Sequence, residues 1–228
     1  MNLAASSERA AGLGWLPVLA TACFYALPPD LQNHRSLQFL PQLVAYAALA
    51  LWASRNSGIA ARLGLRPEQI GQGLRWGVAA GLILGALNTG IILRIVPWLG
   101  FDIAFLRETP HAHIPPAIML PWFILLIAVC VEVNFRGFVL GRLLALMTGR
   151  PSLISSGPGA WLAVGITALV FSFDPFMVVT FRHLHWIAVW DGLVWGLLWV
   201  RLRNLYVPII AHAVEVMVTY SIVRTILT

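Results

Sequence analysis

The sequence predicts an all-α membrane protein, a polytopic bundle of about seven transmembrane helices. Three observations carry this. Apolar residues make up 59% of the chain and charged residues only 11%, against roughly 25% charged in soluble domains. Apolar runs of spanning length, roughly 17–25 residues, recur along the whole chain. Arginines collect mostly at the ends of those runs, where they orient helices. A length of 228 residues fits one integral membrane domain, 1–228.

The runs fall at about 11–28, 37–54, 74–96, 116–141, 160–179, 186–200 and 205–227. Pro28, Pro29, Pro97, Pro115, Pro116 and Pro175 punctuate their ends or near-ends. The stretch 57–75 is too polar to span and is predicted as an interfacial segment lying on the membrane. Trp52 and Trp76 flank it as candidate interface anchors. Glycines at spacing four recur in three places: Gly77, Gly81 and Gly85; Gly137 and Gly141; Gly192 and Gly196. Such stripes let helix backbones approach closely in lipid.

The net charge of +6 comes from arginine alone, because the chain has no lysine. In so apolar a chain this balance points to anionic lipid and not to nucleic acid. An alternating seven-helix path puts Arg9, Arg55, Arg62, Arg66, Arg75, Arg142, Arg150, Arg201 and Arg203 on one side. That side should be cytoplasmic, with the N-terminus inside and the C-terminus outside. Cys23 and Cys130 lie in apolar runs and suggest neither a disulfide nor a metal framework.

Four ionisable groups break the apolar runs at one depth. Counting inward from the basic side, Glu132 lies roughly 15 Å from Arg142, and Asp191 roughly 15 Å from Arg201. His212 and Glu215 come out roughly 12 and 16 Å from Asn204. A charge at the bilayer centre costs at least roughly 2.5–3.5 kcal/mol, so such groups face one another or a cavity. Glu132 and Arg136 are four apart and share a helical face, as a mutually neutralising pair would. Asp191 and Glu215 are further candidates to compensate Arg136, and Glu215 shares a face with His212. His183 and His185 sit near the outer end of the sixth run. His111 and His113 sit in a polar outer loop and are expected to be solvated.

Two segments resemble the CAAX-protease and bacteriocin-processing family of intramembrane proteases. Glu132 to Arg142, with Phe135-Arg136-Gly137, resembles the family's first motif. Gly192, Gly196, Arg201, Leu205, Pro208, Ile209 and His212 resemble its penultimate helix, turn and last-helix histidine. The likeness covers about residues 60–220. Three positions depart from the family pattern. Val131 replaces the first of two glutamates, Pro175 a histidine, and Val216 an asparagine or aspartate.

The resemblance implies an intramembrane endopeptidase acting on a membrane-associated protein, in which glutamate and histidine activate water. It implies Glu132 as base and His212 as oxyanion donor or second water ligand. His183 or His185 would stand in for the missing histidine, oriented by Asp174 or Asp191. The resemblance fixes no cofactor and leaves open a divalent metal held by Glu132, His212 and His185. The expected location is a prokaryotic plasma membrane. The departures also admit a catalytically inactive scaffold of the same fold, and the polar layer admits a small transporter.

The arginine bias makes a direct prediction about topology. Reporter fusions placed after Arg55 and after Arg142 should report cytoplasm, and a fusion after Arg107 should not. A cytoplasmic signal at Arg107 would overturn the map.

Overall fold

The computed structural model describes residues 8–148 and 157–227. Arg150, one of the orienting arginines, lies outside them. Among the described residues all regular structure is helical. The chain runs through α1 (Ala11–Tyr25) and α2 (Leu40–Ser54), then a short α3 (Ile59–Leu63). Next come α4 (Ile70–Gly90, extended to Trp98) and the long α5 (Pro116–Thr148). The last four are α6 (Pro158–Ser172), α7 (Pro175–Phe181), α8 (Ile187–Leu202) and α9 (Tyr206–Leu227).

Every predicted apolar run lies on helix, but not every helix has spanning length. Three stretches are long and apolar enough to cross a membrane: Ile59–Trp98, Pro116–Thr148 and Tyr206–Leu227. Pro158–Ser172 and Pro175–Leu184, bent by 53° at their junction, make a fourth if they act as one span. Among the described residues length and composition thus mark three or four candidates, against the seven expected. The reason is that apolar composition runs past the helix ends. The 15 residues of α2 reach only roughly 22 Å, against a hydrocarbon core of roughly 30 Å.

The centre of the bundle is the second half of α5. Every residue from 134 to 144 is buried, so this stretch is surrounded on all sides. Here the helix widens into π-type turns over Val133–Leu140, a geometry frequent at functional sites. Phe138 packs on Trp52 of α2, with ring centroids 5.8 Å apart. Trp52 is fully buried, so it belongs to the core and does not anchor an interface, whereas Trp76 is exposed. Arg142 pairs with Glu8, which also accepts the Trp52 indole N–H at 2.9 Å. This tie draws the N-terminal segment onto α5.

The glycine stripes set how closely the helices approach. An added Cβ at Gly77 would lie 2.6 Å from Ile210 Cβ, and one at Gly81 2.6 Å from the Ala211 carbonyl. Gly73 and Gly85 extend the same seam against Tyr206 and Val218. The backbones of α4 and α9 therefore meet nearly in contact, a packing that only glycine permits. Gly192 meets Ala168 in the same way, at 2.9 Å, and seats α8 on α6.

The polar segment 57–75 does more than lie on a surface. Gly64, at φ 89°, turns the chain so that its carbonyl accepts the Leu205 N–H at 2.9 Å. The Trp199 indole donates to the Leu63 carbonyl at 3.2 Å, and Asn204 donates to that of Gln69 at 2.9 Å. The segment thus clamps the α8–α9 turn at the basic end of the bundle.

Replacing Gly81 by leucine should separate α4 from α9. Overpacking of this kind costs about 1–3 kcal/mol or more. The expected readout is a clearly lowered thermal midpoint in detergent, with Gly71→Leu, at an open position, as a silent control.

Candidate active site

Glu132 ends the regular part of α5, and Arg136 follows it one turn on. Both side chains are completely buried. Arg136 Nη1 donates to Glu132 Oε1 at 3.0 Å. His212, from α9, brings its Nδ1 to 2.8 Å from the same oxygen. A carboxylate only accepts, so Nδ1 carries the proton and the free lone pair belongs to Nε2.

Aromatic rings hold this pair in place. Trp195 of α8 stacks on the His212 imidazole, with centroids 4.6 Å apart and planes 18° apart. Phe171 of α6 meets it edge-on. The Arg136 guanidinium carbon lies 4.5 Å from the centre of the Phe171 ring and 5.0 Å from that of Trp195. The arginine is therefore compensated by one carboxylate and two ring faces, as a desolvated cation requires.

A second buried group adjoins the first. Asn88 of α4 donates its amide to both oxygens of Asp191 at 3.1 Å and to Glu215 Oε1 at 2.8 Å. Its Oδ1 accepts the Trp190 indole N–H at 2.9 Å. An indole can only donate, so it settles which way the amide faces. Two carboxyl groups from two helices thus meet at one amide from a third.

Both groups border a cavity of about 1000 Å³. His212, Asn88, Asp191, Glu215, Trp195 and Phe171 line it. Along α9 the wall continues from His212 to Arg224 and Leu227, so the cavity extends towards the end opposite Arg142. Residues of the loop 106–114 line that end. Glu132 and Arg136 are not on the wall, so Glu132 reaches the cavity only through His212. The expected role of Glu132 as the group touching water therefore does not fit its position. The Trp195 indole N–H is buried on this wall without a hydrogen-bond partner.

The other predicted site residues lie elsewhere. Asp174 caps α7, accepting from the N–H groups of Phe176 and Met177 at 3.0 and 3.3 Å and from Gln42 at 2.9 Å. It orients no histidine. His183 packs against the rings of Phe101 and Phe105, and His185 Nδ1 lies 2.6 Å from the Arg182 carbonyl. The structure brings neither histidine to Glu132 or His212. Asp174 and Pro175 bend the chain between α6 and α7, and Arg182, at φ 48°, ends α7. Both histidines are left beyond that end, where they line a separate cavity of about 330 Å³. Glu132, His212 and His185 therefore form no joint metal site. Among the described residues no three His, Cys, Asp or Glu side chains converge as metal ligands.

Two participants escaped the sequence analysis. Asn88 is an uncharged polar residue within the third apolar run, and charge alone does not mark it. Trp195 carries no signal separating it from other core aromatics, whereas Phe171 opens the segment, ending at Pro175, that resembles the family's second motif. His111 also differs from expectation. It is half-buried and stacks on Phe181, with burial lowering its pKa, while His113 is exposed.

Residues 113–218 match the family described as type II CAAX prenyl endopeptidase Rce1-like. Over these residues the chain is similar to that family. The matched stretch contains Glu132, Arg136, Asp191, His212 and Glu215, and Asn88 lies outside it. No curated protein and no solved structure matches the chain. The family match and the apolar helices together support an integral membrane protein.

Glu132→Gln would leave the Arg136 cation buried without its counter-charge. Removing one partner of a buried pair costs about 3–5 kcal/mol. Thermal unfolding in detergent should show that loss, and Glu132→Gln with Arg136→Gln together should recover part of it. Additive losses would refute the coupling.

Proposed function

We propose that this chain is an intramembrane peptidase in which His212 is the base that activates water. The observation that carries this is the 2.8 Å contact from His212 Nδ1 to the buried Glu132 carboxylate, with His212 on the cavity wall. A carboxylate on Nδ1 fixes the tautomer and leaves Nε2 to take a proton, the logic of the serine-protease histidine. Arg136 holds Glu132 in place from behind and does not touch substrate.

The chemistry then follows from these residues. Nε2 takes a proton from a cavity water, and the hydroxyl oxygen bonds to the scissile carbonyl carbon. The resulting imidazolium is stabilised by Glu132. The buried Trp195 N–H supplies a donor for the developing oxyanion. The largely apolar cavity suits a membrane-associated protein substrate, cut near a lipid-proximal or C-terminal segment. The arginine distribution supports seven membrane helices with the N-terminus cytoplasmic and the C-terminus outside, in a prokaryotic plasma membrane.

The test uses variants reconstituted in liposomes with a fluorogenic library of lipid-anchored peptides. General-base catalysis contributes about 10²–10⁴-fold, so His212→Ala should lose at least about a hundredfold of the cleavage rate. Glu132→Gln should lose activity at every pH. Unchanged cleavage by both, in protein that inserts normally, would sink the proposal.

A further inference from the structure

The Asn88–Asp191–Glu215 group has no part in the water-activating step, yet it lines the same cavity as His212. Like charges a few ångströms apart in a low dielectric do not both ionise, and one proton is shared between them. The surroundings favour this. The amide of Asn88 has two hydrogens and serves two carboxyl groups. Its orientation is fixed by Trp190, so it presents donors where a bound cation would need acceptors. The other charged groups around the pair are Arg136 and Glu132, from α5. Glu132 already pairs with Arg136 at 3.0 Å, so the arginine is not free to neutralise both acids.

Two further observations point to a ligand. Glu215 Oε2 is buried and has no hydrogen-bond partner, although the residue lines the cavity. The Trp195 N–H, on the same wall and 2% exposed, also lacks one. One group offers a place for a proton and the other offers a donor, and a scissile amide supplies a nitrogen and a carbonyl oxygen to match. Glu215 stands one helical turn beyond His212 on α9.

We infer that Asp191 and Glu215 hold one proton between them, and that Glu215 delivers it to the departing amine nitrogen. The inference rests on the peptidase reading above. His212 Nε2 removes a proton from water, and the hydroxyl oxygen bonds to the carbonyl carbon. The C–N bond then breaks, its electron pair stays on nitrogen, and the nitrogen takes the proton from Glu215. The imidazolium of His212 returns the water's proton to the acid pair through cavity water. The sum is one water consumed, with one carboxyl and one amine released. Asn88 is a positioning residue that keeps the two acids together.

Two measurements test this, one of them independent of activity. Infrared spectra of the purified protein at neutral pH should show a protonated carboxyl band that disappears in Glu215→Gln. Asp191→Asn reports on the same pair if the first variant folds poorly. Loss of an ionised carboxylate band in each variant, with no protonated band lost, would overturn the shared proton. The second measurement compares a lipid-anchored peptide amide with the nitrophenyl ester of the same acyl group. The ester's leaving group needs no proton. Glu215→Gln should slow the amide at least tenfold and spare the ester, and Asn88→Ala should shift the pH profile of amide cleavage. Equal slowing of both substrates by Glu215→Gln would mark a structural role and overturn the inference. A wild-type protein that cleaves neither refutes the peptidase reading, and the infrared result alone then decides whether the proton is shared.

Discussion

The interaction on which the structure depends is the buried pair of Glu132 and Arg136. Neither has an exposed atom, and their 3.0 Å contact lies at the centre of the bundle. An ion pair in that position is no gift to stability, because desolvation offsets most of the attraction. It persists because other contacts complete it. Phe171 and Trp195 offer ring faces to the guanidinium, and His212 takes the carboxylate oxygen that Arg136 also uses. The charge pair is therefore less a fastening than a template. It fixes the rotamer of Glu132, Glu132 fixes the tautomer of His212, and His212 faces the cavity.

Close helix approach makes this arrangement possible. Asn88 and Glu215 meet at 2.8 Å only because the glycine seam lets α4 lie against α9. Asp191 joins them from α8, whose own position depends on Gly192 against Ala168. Small residues outside the site therefore decide its geometry. Each glycine removes a side chain where a polar contact further along the same helix needs the backbone near. The clamp of Gly64 on Leu205 does the same at the basic end. The cavity lies towards the other end, under the loop that carries His111.

Under the peptidase proposal, the division of labour in this chain differs from the one the resembled motif implies. With Val131 in place of an acid, the remaining glutamate faces the core. The imidazole, not the carboxylate, borders the cavity. The departures at Val131, Pro175 and Val216 remove three polar groups, and Asp191, Glu215 and Asn88 place three others on the same cavity. Asn88 lies before the family-matched residues, so the polar group on the cavity reaches beyond the matched segment.

Much of this was legible in one dimension. Apolar composition and run length determined the helical membrane class, because backbone polar groups in lipid can be satisfied only within helices or closed barrels. Depth counting from arginines put Glu132, Asp191, His212 and Glu215 in one layer, because helical rise is constant. Spacing of four predicted the Glu132–Arg136 pair and the glycine seams. The sequence marked seven apolar runs where three or four helices have spanning length, since apolar character continues past helix ends at Tyr25 and before Leu40. It also sent His183 and His185 towards the site, since no local signal reports the bend at Pro175 or the turn at Arg182. Partner choice within the polar layer was left to the tertiary structure. Depth is a property of one helix, but whether Glu132 meets His212, and Asn88 joins Asp191 to Glu215, depends on how helices rotate and touch. That rotation is set by packing among residues far apart in the chain.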